Sequence, residues 1–127
     1  MPWERSFRTF LDQAAREFHQ IAPTFPYEQA FSAEYRALIP PQLATRDAFK
    51  VEKVIRSGRE AVDLWEPDGQ LGDPFHRLQL YSLRERSLDE IIPILQDLNL
   101  RVVDQVQFKV EIAAQRVYIR SFSVKPA

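Results

Sequence analysis

The sequence predicts an α+β fold: a four-stranded antiparallel sheet with two helices on one face, plus N-terminal helices. Three observations point there. Apolar residues recur at steps of three and four as far as about residue 56, alternating stretches take over from residue 60, and one strongly signalled helix start at Ser87 interrupts them.

The first helix is expected from about Pro2 to Gln20. Trp3, Phe7, Phe10, Leu11, Ala14, Phe18 and Ile21 form its apolar stripe, Pro2 suits a first turn, and Pro23 and Pro26 end it. A second helix is expected over Tyr27 to Leu38, with Phe31, Tyr35 and Leu38 on one side. Pro40-Pro41 breaks it and opens a third helix, about Gln42 to Arg56, whose buried stripe is Leu43, Ala44, Ala48, Val51, Val54 and Ile55. Gly58 suits the left-handed residue that stops a helix.

Glu60 to Glu66 then reads as a strand containing Val62, Leu64 and Trp65. Pro67-Asp68-Gly69 and Gly72-Asp73-Pro74 make a turn, and His76 to Leu83 alternates again, with Leu78 and Leu80 on one face and Gln79 and Tyr81 on the other. Ser87-Leu88-Asp89-Glu90 has the pattern of a capping box, with the Ser87 hydroxyl on the Glu90 amide and the Glu90 carboxylate reaching back. Leu88, Ile91, Ile92, Leu95 and Leu98 form the apolar face of the helix it starts. Pro93 should bend that helix, and Asn99 should stop it. Arg101 to Ile112 is expected as a strand with Val102, Val106, Phe108 and Val110 on one parity. Ala113-Ala114 is the bend, and Gln115 to Val124 is the last strand.

From residue 42 the order is helix, strand, strand, helix, strand, strand. This is the ferredoxin-like layout entered at a shifted starting point. The expected division is a helical segment over residues 1–40 and an α+β domain over 41–127.

Composition narrows the function. Lys and Arg total 17 against 18 Asp and Glu, so no excess of positive charge marks a nucleic-acid or anionic-membrane surface. There is no Cys, which removes thiol catalysis, disulfides and zinc-thiolate sites. No apolar run approaches the ~20 residues that cross a bilayer. Met1-Pro2-Trp3-Glu4-Arg5 lacks the apolar core of a signal peptide, so the cytoplasm is the expected compartment.

Chemical motifs are sparse. Gly58, Gly69 and Gly72 make neither a dinucleotide fingerprint nor a phosphate loop. His19 and His76 have no ligand at helical spacing, so no metal or other cofactor is expected. Asp89 and Glu90 read as complements to a helix dipole rather than as an acid/base pair. Two features could serve function. Arg84, Arg86, Ser87 and Leu88 join a strand to a helix N-terminus, where free amides and two guanidinium groups could hold an effector carboxylate. Trp3, Phe7, Phe10 and Phe18 give the first helix more aromatic surface than a small sheet needs, which makes them a candidate interface.

Residues 31–124 resemble the regulatory, ACT-like region of the large bacterial NAD-specific glutamate dehydrogenases. The resemblance rests on Phe31-Ser32-Ala33-Glu34-Tyr35-Arg36, on Pro41, Ala44 and Asp47, and on Leu78-Gln79-Leu80-Tyr81. It continues through Ser87-Leu88, Ile92-Pro93-Ile94-Leu95, Leu98 to Asp104 and Val117 to Phe122. It implies an ACT-like fold and a non-catalytic regulatory or assembly module. The implied partners are other domains or subunits of such an enzyme, or a second copy in a homodimer, without nucleic acid or membrane. The alternative is a free-standing amino-acid sensor; a small enzyme on the same scaffold is the third reading. Amino-acid-binding ACT modules usually open the ligand loop with Gly, where this chain has Arg86-Ser87-Leu88. The catalytic lysine and nucleotide fold of the dehydrogenases have no counterpart here.

Overall fold

A computed structural model describes residues 2–17, 26–67 and 74–126. The elements are α1 (Trp3–Glu17), α2 (Ala33–Leu38), α3 (Pro41–Ser57), β1 (Ala61–Trp65), β2 (His76–Ser82), α4 (Leu88–Asp97), β3 (Leu100–Ile112) and β4 (Gln115–Pro126). The four strands form one antiparallel sheet in the order β1-β2-β4-β3. Starting from β2, this is the ferredoxin-like order: β2, α4 and β3 make a crossover split by β4. The α+β, ACT-like class therefore stands, with the chain entering at α3.

One part of the expected architecture is corrected: the two helices of this unit lie on opposite faces. Tyr81 pairs with Ile119, and Leu78 with Phe122, in an unbroken β2–β4 register. Successive strand residues point to opposite faces. Val117 and Ile119 share one cluster with Ala48, Val51 and Val54 of α3, whereas Phe122 and Val124 share another with Ile91 and Leu95 of α4. The reason lies in the connections. A strand precedes and follows α4, so the handedness of crossovers decides its face. Among the described residues no strand precedes α3, so that rule leaves it free. Phe7, Leu11, Tyr27, Phe31 and Tyr35 add a further apolar layer on the side α3 takes.

Local chemistry explains the element ends. Gly58, at φ 71°, stops α3 and donates to Val54 O at 2.8 Å. Ser32 accepts from the Tyr35 amide at 3.1 Å, which splits the helix expected over Tyr27 to Leu38 into a 3-10 turn at Tyr27–Gln29 and α2. Ser87 does not cap α4 through its hydroxyl as the box pattern predicts. The Glu90 amide instead donates to the Ser87 carbonyl at 3.1 Å. The helix runs through Pro93 to Asp97, and Asn99 ends it at φ 59°. The expected end of the first helix and the Pro67–Pro74 turn fall wholly or mostly outside the described residues.

The expected single parity of β3 is also corrected. A register shift between Val102 and Asp104 puts Val102 opposite Val124, towards α4, while Phe108 stays opposite Ile119, towards α3. A bulge adds one residue to one strand and so exchanges its faces. It lets one strand serve both cores.

Ala113 (φ 54°) and Ala114 (φ 60°) close the two-residue hairpin between Ile112 and Gln115. Left-handed backbone costs an L-residue with a Cβ roughly 1–2 kcal/mol, and Asn-Gly is the preferred pair for such turns. Replacing Ala113-Ala114 by Asn-Gly should therefore raise the urea midpoint, with a gain of about 1 kcal/mol after the added glycine entropy. An unchanged or lower midpoint would contradict this.

Candidate functional site: a sealed carboxylate and an arginine loop

Asp47 falls at a core position of α3, between Ala44 and Ala48 on the buried stripe, and is 0% exposed. A charge is tolerated there only if hydrogen bonds replace water. The Tyr35 hydroxyl of α2 and the Tyr81 hydroxyl of β2 both donate to its carboxylate. Gln79 Nε2 donates to the two carboxylate oxygens at 3.1 and 3.3 Å. Phe31 stacks on Tyr35 with centroids 4.3 Å apart, and Phe108 of β3 meets Tyr35 edge-on at 5.0 Å. The junction thus binds α2, α3 and the sheet together. Nearby, Tyr27 donates to Glu52 at 3.4 Å, and burial followed by that carboxylate's charge pushes the Tyr27 hydroxyl upward.

Burial pushes Asp47 up to about 6, against the pull of the Tyr35, Tyr81 and Gln79 donors. Burial, followed by the Asp47 charge, holds both Tyr35 and Tyr81 well above the ordinary phenol range. With no exposed surface, Asp47 cannot meet a substrate; it is a structural charge. The sequence carried a signal for it. Residues 43, 44, 47, 48, 51, 54 and 55 make one heptad-like face, and Asp47 is its only charged member.

The loop before α4 brings Arg84, Arg86, Ser87 and Leu88 together at the first turn of that helix. Arg86 Nη1 binds both oxygens of Glu60, at 2.9 and 2.8 Å, and its Nε reaches Glu90 at 3.2 Å. Arg84 meets the same Glu90 oxygen at 3.1 Å, and Arg120 donates to the Arg86 carbonyl at 3.0 Å. Arg84 leads the causes that lower Glu90. One Glu90 oxygen thus accepts from both arginines, and Leu88 is partly exposed beside it.

Of the candidate interface aromatics, Phe7 is wholly buried, and Trp3 and Phe10 are half-buried. Trp3 stacks on Phe7 at 5.2 Å, donates Nε1 to the Ile39 carbonyl at 3.1 Å and lies under the Arg36 guanidinium. Phe18 and His19 lie outside the described residues. His76 pairs with Glu66 at 3.0 Å, and among the described residues no group of His, Asp and Glu is arranged to hold a metal. No described helix is long and apolar enough to cross a membrane.

The face that α4 covers is not covered everywhere. Val62 and Leu64 of β1 point to it and are 53% and 50% exposed, with β1 itself at the sheet edge.

Residues 59–127 match the family model described as glutamate dehydrogenase, ACT3 domain. The match covers more than half of the 127 residues, starts just after α3 and takes in the whole sheet and α4. No curated protein and no solved structure matches the chain.

The folded value of Asp47 lies above the ordinary 3.8, so the folded state keeps its proton longer than the unfolded one. Stability from this group is present at low pH and lost as pH rises through about 6. The unfolding free energy of the wild type relative to Asp47→Asn should fall by up to about 3 kcal/mol between about pH 4 and about pH 7 in urea titrations. A pH-independent difference would refute this. Tyr35→Phe removes a donor from a buried charge and should cost about 1.5–3 kcal/mol, measured the same way.

Proposed function

Since the chain belongs to the family of glutamate dehydrogenase ACT3 domains, we propose that it is a non-catalytic regulatory or assembly module of an NAD-specific glutamate dehydrogenase. The observation that carries this reading is the family match over β1, β2, α4, β3 and β4. The site chemistry supports it: the most perturbed carboxylate is sealed, and the arginines before α4 are held by Glu60 and Glu90. In this reading residues 41–127 form the ACT-like unit, and residues 1–40 are a helical addition docked on it. The module works in the cytoplasm within a larger oligomer. The β1 edge, with Val62 and Leu64, meets another domain or subunit of the enzyme. An effector would act by binding one arrangement of that contact better than the other.

A free-standing amino-acid sensor is the second reading. It draws on Arg84 and Arg86 at a helix N-terminus and requires a ligand carboxylate to displace Glu90. A thermal-shift screen with the twenty amino acids separates the two. A bound ligand at a hundred times its dissociation constant adds about 2.7 kcal/mol, and no shift with any amino acid removes the sensor.

The module reading is tested by isothermal titration of the 127-residue chain with the catalytic part of the dehydrogenase that carries it. Leu64→Asp should weaken that association by about tenfold or more, the loss of one well-packed apolar contact. Leu64 is half exposed, so folding stability should change by only about 1 kcal/mol. Absence of any complex, or glutamate-dependent reduction of NAD by the chain alone, would overturn the proposal.

A further inference from the structure

We propose that the cavity between the last two turns of α3 and the start of β1 binds a small polyanion, a molecule carrying two or more phosphate or carboxylate groups. The cavity has a volume of about 510 Å3, within the range of small-molecule sites. Lys50, Lys53 and Ser57 stand at i, i+3 and i+7 on α3, so their side chains form one wall. Gly58 turns the chain back in its left-handed conformation and brings Arg59 to the same cavity, with Ala61 and Val62 as its apolar part.

The charge pattern singles this place out. Over much of the described surface, arginines meet carboxylates: Arg8 with Glu28, Arg36 with Glu4, Arg46 with Asp63, and Arg116 with Glu111. Among the described residues no carboxylate lies within ion-pair distance of Lys50, Lys53 or Arg59. The one acid lining the cavity, Glu60, is held by Arg86 through two hydrogen bonds. A chain of formal net charge -1 thus gathers three unmatched cations around one cavity.

The C-terminal dipole of α3 attracts cations, but its effect fades within the last turn. It accounts for a charge near Ser57 and not for Lys50, two turns earlier. The Ser57 hydroxyl accepts the Arg59 amide at 3.1 Å and keeps its own proton for a ligand oxygen. Ammonium and guanidinium groups make the stronger, charge-assisted bonds to phosphate and carboxylate oxygens. A monoanion would leave most of this charge unused. The site stands whether or not the module serves a dehydrogenase. Glu60 gives it a route outward, because the same side chain holds Arg86 at the N-terminus of α4.

The test is isothermal titration of the 127-residue chain with inorganic pyrophosphate and, separately, with citrate, each against sodium chloride at the same ionic strength. Saturable one-site binding of either anion is expected. Lys50→Ala with Lys53→Ala should weaken it about tenfold or more, the loss of roughly one charge-assisted hydrogen bond. Arg8→Ala with Arg116→Ala, which removes the same net charge elsewhere, should leave it unchanged. Amide chemical shifts in the wild type should move at residues 50–62. Binding of neither anion, equal weakening by the two double variants, or shifts confined to other residues would overturn the proposal.

Discussion

Strands β2 and β4 lie in the middle of the sheet, and both of their faces have to be shielded from water. Tyr81, Gln79, Ile119 and Ser121 turn to one side, while Leu78, Leu80, Phe122 and Val124 turn to the other. One helical layer cannot satisfy both. The chain therefore divides its helices, with α4 on one face and α3 backed by α1 and α2 on the other. The bulge in β3 follows from the same need, since it lets Val102 join one core and Phe108 the other.

The two layers differ in kind. Under α4 the contacts are apolar, with Phe122 among Ile91, Leu95 and Val124. Under α3 a buried carboxylate must keep two phenols and an amide in place, and hydrogen bonds demand far tighter geometry than apolar contacts. Leaving any of these groups unpaired costs more than the bond itself contributes. Asp47 thus ties α2 and α3 to the sheet, and it does so with residues from segments far apart in sequence. One face thus carries a firm layer and the other a partly bare apolar strip at Val62 and Leu64.

Charges tell a similar story. In the sequence Arg84 and Arg86 were candidates to hold a carboxylate; in the fold Glu90 meets both from the first turn of α4, and Glu60, the residue before β1, meets Arg86. Lys50, Lys53 and Arg59 form no local motif, being spread along a helix end and a turn. Folding gives the arginine pair nearby carboxylates and brings the scattered cations to line one cavity. Pairing between residues as far apart as Glu60 and Arg86 depends on how β1 returns past the start of α4, which no local pattern encodes.

Local forces were legible in the sequence and long-range ones were not. The strands and α3, the stops at Gly58 and Asn99 and the antiparallel sheet could be read from periodicity and turn chemistry, because a few neighbouring residues decide them; the family resemblance rested instead on matched residue stretches. Ser32 breaking a helix, and Ser87 declining to cap one, were already finer than pattern could resolve. The face that α3 takes, the parity switch in β3 and the partners of Asp47 belonged to the tertiary structure alone. Each depends on which surfaces meet after the chain has folded, and α3, with no strand before it among the described residues, carries no topological rule to say in advance where it must go.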